Sequence, residues 1–213
     1  MKLKQKIATL FLGAVMALGV GSALSINTNK NGMSGVRAED AVSVNYNVKS
    51  TSEVTASGAV PKGSSATYSS TYTTAKCQLT KTNSMTLTLS GYTNYCIAGL
   101  TLKMKSNSSG GSGYLSVKAG STTIASIGSS SSGVAFNNNQ WNGSYSSTYV
   151  DVDIALSNTT YTVGNNEKIV IIVGATVNSL YVSDFKLDIV NKGSEETGGD
   201  DSSESNIYKL ISS

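Results

Sequence analysis

Histidine is absent from all 213 residues, and cysteine, proline and tryptophan are scarce, with two, one and one. Without histidine, the chain lacks the commonest general base near neutral pH and every Ser-His or Cys-His nucleophile pair. Two cysteines alone also fall short of a Cys2His2 zinc site. Arginine occurs only at Arg37, so two-point phosphate contacts have little support and nucleic-acid binding is not indicated. Chemistry by carboxylates alone is not excluded.

The chain has one long apolar run, and it lies near the start. Three lysines fall within the first six residues, residues 7–20 are uncharged and mostly apolar, and Val36-Arg37-Ala38 offers a cleavage site. This is the pattern of a secretory signal peptide over residues 1–38, because the run is too short and wrongly flanked for a stable membrane span. We expect an exported protein, secreted or at the cell surface, with no membrane span after signal removal. Removing the five basic residues before Glu39 changes the formal net charge from +3 to −2.

The remaining chain has the periodicity of β-strands. Polar and apolar residues alternate strictly in Met85–Ser90, Leu100–Lys105 and Val150–Ile154, which predicts antiparallel strands with one buried face. Lys168–Val173 is apolar on both faces, as in a strand that is covered on both sides or central in its sheet. No stretch has helical spacing. At least eight strands with turn-rich connections predict an all-β, antiparallel two-sheet β-sandwich over residues 39–192, most simply a jelly roll.

The last predicted strand changes phase halfway. Leu180 and Val182 share one parity, whereas Phe185, Leu187 and Ile189 share the other. If all five side chains face the core, one extra residue must be absorbed between the two groups. We therefore predict a β-bulge near Ser183-Asp184.

The composition changes after Lys192. Residues 193–206 are rich in Gly, Ser, Asp and Glu, which is typical of an acidic, flexible linker. The strand-like residues 207–213 then predict the start of a truncated next domain, so that the sequence would be the front piece of a longer protein. The alternative is a frayed tail in a complete short protein.

Several strands resemble a known group of modules. The resemblance is carried by Ala66–Thr73, Gln78–Thr80, Met85–Tyr92, Ile97–Ser106 and Leu180–Ile189. These segments resemble accessory β-sandwich modules of exported proteins from Gram-positive gut bacteria, some of which precede secreted endonuclease or other catalytic domains. The run from Leu180 to Leu187 also resembles the closing strand of galactose-binding-like jelly rolls. The resemblance implies a jelly-roll fold and an exported accessory role in a Gram-positive bacterium, and it brings no catalytic residues. It also implies a structural calcium ion as an option, with Asp184 as a candidate ligand.

The strongest candidate ligand site is the amide-rich segment around the single tryptophan. A flat aromatic ring with neutral amides beside it suits sugar recognition, since the ring stacks on C–H groups and the amides bond to hydroxyls. The alternative is that the tryptophan plugs the end of the sandwich while the asparagines make turns. The candidate residues are Trp141, Tyr145, Asn139, Gln140 and Asn142.

A second candidate is the loop that holds Tyr92 and Tyr95. The two rings could contact a glycan or a protein partner, or they could cap the edge of the core with their hydroxyls in water.

Three further patterns carry weaker expectations. Asp151 and Asp153 lie two apart on one strand face, which suits either acid–base chemistry, a hard cation or simply solvated charges. Cys77 and Cys96 flank the Met85–Ser90 strand, so either a disulfide or two buried thiols would be consistent with export. Polar side chains also mark a sheet face that could be hydrated or could dock an acidic glycan or a neighbouring domain. They are Thr86, Thr88, Thr101, Lys103 and Lys105.

These observations favour a non-catalytic accessory module that binds an extracellular glycan or another polymer weakly and needs no cofactor. Its expected partners are that polymer and a downstream domain of the same protein. Two alternatives remain open. One is a structural spacer, and the other is the amino-terminal, non-catalytic part of a secreted nuclease or hydrolase whose chemistry lies beyond Ser213.

Overall fold

Alternating burial along the strands matches the alternation in the sequence. A computed structural model describes residues 41–50, 52–71, 78–106, 108, 110–141 and 146–193. Within these ranges the protein has twelve strands and one 3₁₀ turn, Asn139–Trp141, and no α-helix. The strands are β1 (Val42–Val48), β2 (Val54–Gly58), β3 (Ser65–Ser70), β4 (Gln78–Leu79), β5 (Ser84–Ser90), β6 (Tyr95–Ser106), β7 (Ser112–Ala119), β8 (Thr122–Ile127), β9 (Val134–Ala135), β10 (Val150–Ile154), β11 (Ile169–Val177) and β12 (Leu180–Asn191). The described part of the chain contains no helix that is long and apolar enough to cross a membrane.

The strands form two antiparallel sheets. Sheet A has the order β10-β6-β12-β1-β2, with β4 also paired to β12, and sheet B has the order β3-β5-β11-β7-β8, with β9 also paired to β7. The orders β1-β12-β6-β10 and β5-β11-β7-β8 within these sheets are those of an eight-stranded jelly roll. The predicted fold is therefore confirmed.

The core lies between the inner faces of the two sheets. Alternate residues of each strand point inward, because successive side chains of a strand lie on opposite faces. Sheet A contributes Leu100, Leu102 and Met104 from β6, and sheet B contributes Met85, Leu87 and Leu89 from β5, all of them buried. This packing places the apolar residues of the alternating strands β5 and β6 inward and their threonine and lysine side chains outward.

Two local predictions are confirmed. The apolar β11 lies at the centre of sheet B, between β5 and β7. In β12, Val182 pairs with Met104 and Asp184 pairs with Lys103, so Ser183 is an extra residue and forms the predicted bulge. Because of the bulge, the apolar residues before and after it all face the core, and each is fully buried: Leu180, Val182, Phe185, Leu187 and Ile189.

The polar face expected from the sequence is in fact two faces. Thr86 and Thr88 lie on β5 in sheet B, whereas Thr101, Lys103 and Lys105 lie on β6 in sheet A. The connection between β5 and β6 crosses from one sheet to the other, so these side chains point to opposite sides of the sandwich. The prediction that they share one surface is therefore wrong.

The outer face of sheet B carries the Tyr114 ring, which lies on β7. A Cβ atom built on Gly174 of β11 would lie 2.6 Å from ring atoms of Tyr114, so this ring covers the glycine. The half-buried Val170 and Ile172 lie on the same face of β11.

Candidate functional site

Trp141 is a core residue. Its side chain is 0% exposed. The indole Nε1 donates a hydrogen bond to the carbonyl oxygen of Val134 at 3.1 Å, and the ring meets Phe136 edge to face with centroids 5.4 Å apart. A buried ring offers no face to a sugar, which corrects the prediction of a stacking platform here. The alternative interpretation, a plug in the sandwich, describes what the structure shows.

The amides beside Trp141 are partly described. Asn139 and Gln140 are exposed on the 3₁₀ turn, where the backbone N–H of Gln140 donates to Asn138 Oδ1 at 2.9 Å. Asn142 and Tyr145 lie outside the described residues. The exposed amides therefore remain as polar groups without the indole face that was expected to accompany them.

Tyr92 is also buried, and its hydroxyl bonds to the hydroxyl of Tyr46 on β1. The Tyr92 ring packs edge to face with half-buried Tyr95, with centroids 6.0 Å apart. Burial raises the pKa of both Tyr46 and Tyr92 above the usual tyrosine value. The structure corrects both expectations for Tyr92. Its buried ring cannot contact a glycan or a protein partner, and its hydroxyl is bonded to Tyr46 instead of water.

Cys96 is a free, buried thiol whose Sγ donates to the carbonyl oxygen of Thr160 at 3.4 Å. Cys77 lies outside the described residues. Its chain neighbour Gln78 pairs with Tyr181 at one end of β12, whereas Cys96 pairs with Val190 at the other end. Nine residues along a strand span about 30 Å, while bridged Cα atoms lie within about 7 Å. The described residues therefore favour a thiol at Cys96 over the disulfide.

The three candidate carboxylates lie on the outer face of sheet A. Asp151 and Asp153 are exposed on the edge strand β10, where Thr101 Oγ1 donates to Asp153 Oδ1 at 2.7 Å. Asp184, beside the bulge, accepts from Asn47 Nδ2 at 2.7 Å and from Ser183 Oγ at 2.6 Å. Among the described residues, no group of three His, Cys, Asp or Glu side chains is placed to hold a metal ion.

A row of side chains crosses the outer face of sheet A at one end. Lys105 on β6 pairs with Tyr181 on β12, and Tyr181 pairs with Gln78 on β4. Tyr149 lies immediately before β10, on the other side of Lys105. The Lys105 ammonium lies 5.1 Å from the centroid of the Tyr149 ring and 4.9 Å from that of Tyr181, so two cation–π contacts hold it between the rings. We call Tyr149, Lys105, Tyr181 and Gln78 the aromatic row.

The aromatic row presents both apolar and polar groups to solvent. Tyr149 is 39% exposed, and Lys105, Tyr181 and Gln78 are half-buried. Gln78 Nε2 donates to Ser179 Oγ at 2.7 Å, which fixes the amide at the end of the row. Since neighbouring strands lie about 4.8 Å apart, the two tyrosines stand roughly 10 Å apart.

A charged row runs parallel to the aromatic row, two residues further along β6 and β10 and, because of the bulge, three residues further along β12. Lys103 on β6 pairs with Asp151 on one side and with Asp184 on the other, and Asp184 pairs with Asn47. Adjacent strands thus alternate in charge across this part of the face. The aromatic row and the charged row together present rings, charges and amides to solvent on one face of sheet A.

A polar cleft of about 430 Å³ lies elsewhere, at the turn between β5 and β6. Its walls include Ser90, Gly91, Thr93, Asn165, Asn166, Glu167 and Lys168. The only carboxylate among these walls holds its own loop together. The Tyr161 hydroxyl shares its single proton between the two Glu167 oxygens, at 2.7 and 2.8 Å, and Glu167 also accepts a bond from the Gly164 N–H at 2.6 Å. These bonds lower the pKa of Glu167, with the Gly164 N–H as the larger cause, and they suit a structural carboxylate better than a general acid.

The sequence did not reveal the aromatic row. The sequence pattern predicts Lys105 on a polar sheet face, and it gives no reason to assign Tyr149 or Tyr181 to a site. Lys105 and Tyr149 are 44 positions apart, and they meet only because β10 pairs with β6. Period-two alternation in β12 could have placed Tyr181 on an outer face, but not beside Lys105.

Comparisons with known proteins assign no family. No protein-family model matches the chain, and no curated protein matches it. Among solved structures it is similar to the catalytic unit of a thermostable GH87 alpha-1,3-glucanase from Streptomyces thermodiastaticus strain HF3-3, at 14% identity and a TM-score of 0.30, over 52% of this chain and 19% of that one. It is also similar to the catalytic domain of a GH87 alpha-1,3-glucanase in complex with nigerose, at 11% identity and a TM-score of 0.30, over 59% of this chain and 26% of that one. The chain thus spans about a quarter or less of these proteins, and a likeness this weak supports no functional argument.

Proposed function

We propose that this domain is a non-catalytic accessory module that binds an extracellular glycan through the outer face of sheet A. The observation that carries the proposal is the aromatic row, in which Tyr149 and Tyr181 flank Lys105 on an open sheet surface. Tyrosine rings stack on the C–H faces of sugars, and amide and charged groups beside them bond to hydroxyls. In this proposal the aromatic row, and not Trp141, supplies the rings on which a sugar stacks.

The shape of the face favours binding over catalysis. Asp151 and Asp153 are exposed on an edge strand, and an open, wet surface neither buries a substrate nor excludes water from it. Such a surface suits a long polymer that contacts several side chains weakly. If a second domain follows in the same protein, tethering would raise the effective concentration and amplify that weak affinity.

The proposed extracellular setting depends on the signal peptide predicted for residues 1–38, which lies outside the described residues.

The charge of the face fits a glycan better than a nucleic acid. Its strands carry three lysines against four aspartates, whereas nucleic-acid surfaces are dominated by basic residues. The lysines are Lys103, Lys105 and Lys186, and the aspartates are Asp151, Asp153, Asp184 and Asp188.

Affinity electrophoresis of the full chain in gels containing neutral and acidic polysaccharides tests the proposal. Stacking of one ring contributes about 1 kcal/mol, so Tyr149→Ala or Tyr181→Ala should weaken binding by about fivefold each. Tyr181→Phe should retain most of the affinity, because it keeps the ring. Tyr114→Ala is the matched control, since Tyr114 is a half-buried tyrosine on the outer face of sheet B.

Three outcomes would count against the proposal. If no polysaccharide retards the chain, the spacer hypothesis gains support and the glycan-binding proposal fails. If binding occurs but Tyr114→Ala weakens it as much as Tyr181→Ala, the assigned face is wrong. If a retarding polysaccharide is depolymerised during the assay, the non-catalytic part of the proposal fails.

A further inference from the structure

The three lysines on the outer face of sheet A have different surroundings. Lys103 pairs across the strands with Asp151 and Asp184, one on each side. Lys186 forms an ion pair with Asp188, with Nζ 3.5 Å from Oδ1. Both lysines therefore have acidic neighbours that offset their charge.

Lys105 is different, because its neighbours across the strands are aromatic. Its ammonium lies 5.1 Å from the Tyr149 ring centroid and 4.9 Å from the Tyr181 ring centroid. Within the described residues it forms no ion pair; the pairs found there are Lys49–Glu53 and Lys186–Asp188. Ring contacts hold a cation in place without neutralising it, so Lys105 presents a positioned positive charge that no carboxylate of the described residues contacts directly.

Lys105 therefore gives the proposed glycan-binding face a position at which a negatively charged group of the ligand can bind. We propose that the aromatic row binds a polysaccharide in which uronic acid carboxylates alternate with neutral sugars. This inference rests on the proposed function and adds the class of ligand. The carboxylate of a uronic acid projects from the edge of its sugar ring, so the ring can stack on a tyrosine while the carboxylate reaches the ammonium beside it.

The charged row limits the density of negative charge that the ligand can carry. Asp151 and Asp184 both pair with Lys103, which lies two residues from Lys105 on β6, so they stand roughly 6.5 Å from the aromatic row. A heavily sulfated polymer, or one with a carboxylate on every sugar, would place further negative charges near these aspartates. A polymer with one carboxylate between neutral sugars can place that carboxylate at the Lys105 ammonium, while the hydroxyls of its neutral sugars bond to the charged row.

The test uses the full chain and hyaluronan, an unsulfated polymer of alternating uronic acid and neutral amino sugar. Carboxyl-reduced hyaluronan, which keeps the same backbone without the charge, is the matched ligand. We expect hyaluronan to bind about fivefold more tightly than the reduced polymer at low salt, and the difference to shrink as salt is added. Lys105→Met should abolish the difference, and Lys105→Arg should retain it.

Lys118→Met is the control variant, because Lys118 is an exposed residue of β7 in sheet B and its replacement removes one positive charge. It should leave hyaluronan binding unchanged. Equal weakening by Lys118→Met and Lys105→Met would show that net charge acts at a distance, and would overturn the proposal.

The two proposals fail in different ways. Equal binding of both polymers by the wild-type chain would overturn the carboxylate inference and leave glycan binding in place. Tighter binding of heparin than of hyaluronan would likewise reject the ligand class, because it would favour dense sulfation. Binding of neither hyaluronan polymer, nor of any neutral polysaccharide, would overturn the proposed function itself.

Discussion

The hydroxyl pair of Tyr46 and Tyr92 offers a quantitative test of how the core is held together. Both side chains are buried, and each hydroxyl is the other's hydrogen-bond partner. Tyr46 lies on β1 in sheet A, and Tyr92 follows β5 of sheet B, so the bond joins the two layers. The perturbation is the replacement of one or both tyrosines by phenylalanine, which removes the oxygen and keeps the ring.

The magnitudes follow from which groups are left without a partner. Either single substitution leaves one buried hydroxyl unsatisfied, which costs about 1–3 kcal/mol of unfolding free energy. The double substitution removes both hydroxyls and leaves no buried polar group, so it should cost less than the sum of the two single changes. The coupling free energy should therefore be at least about 1 kcal/mol, with the double variant more stable than additivity predicts.

Urea unfolding of the four proteins, followed by circular dichroism, measures this cycle. The slope of free energy against urea should stay the same across the set, which shows that the variants lose stability rather than compactness. Additive effects of Tyr46→Phe and Tyr92→Phe would refute the reasoning, because they would mean that the two hydroxyls find other partners.

The same pair predicts a loss of stability at alkaline pH. Burial, together with the bond to Tyr92, raises the pKa of Tyr46 above its ordinary value of 10.0, and burial also raises that of Tyr92. Below pH 10 both tyrosines are neutral in the folded and unfolded states, and their contribution is fully present. Above pH 10 the unfolded chain releases these protons while the folded chain retains them, so stability falls. The double phenylalanine variant should show a shallower fall between pH 10 and 11.

Two further predictions concern other parts of the sandwich. Trp141 should have a blue-shifted fluorescence emission that resists quenching by iodide, because its ring is buried. The substitution Trp141→Ala should lower the unfolding free energy by about 3–5 kcal/mol, because it opens a cavity beside Phe136. A red-shifted, readily quenched emission would show instead that the ring is exposed. Glu167 has a lowered pKa, so its contribution to stability should be present above its ordinary pKa of 4.5 and lost as the pH falls through the lower folded value. Glu167→Gln should therefore flatten the acid side of the stability profile. The comparison variant Glu53→Gln, which breaks only an exposed ion pair with Lys49, should change it much less. Equal profiles for wild type and Glu167→Gln would contradict the assigned role.

Much of the fold could be predicted because it depends on local patterns. Alternation in Met85–Ser90 and Leu100–Lys105 fixes which side chains face inward, since a strand has only two faces. The parity change between Val182 and Phe185 similarly required one extra residue, and Ser183 is that residue. The predicted central position of β11 followed from apolar residues on both of its faces.

The candidate site could not be predicted because it depends on which strands are neighbours. Alternation shows that Thr88 and Lys105 face outward, but not that β5 and β6 belong to different sheets. The aromatic row likewise exists only after β10 and β12 have paired with β6. The prediction of a binding platform at Trp141 depended on the amides beside this single tryptophan, whereas the large apolar area of the ring favours burial.

Chemical-shift mapping of the full chain with an oligosaccharide of whichever polysaccharide it retains tests the central claim most directly. The account predicts that the largest shifts fall on Lys105, Tyr149 and Tyr181, with smaller ones on the charged row. Shifts confined to the cleft around Asn165 and Asn166, or to the outer face of sheet B, would contradict it.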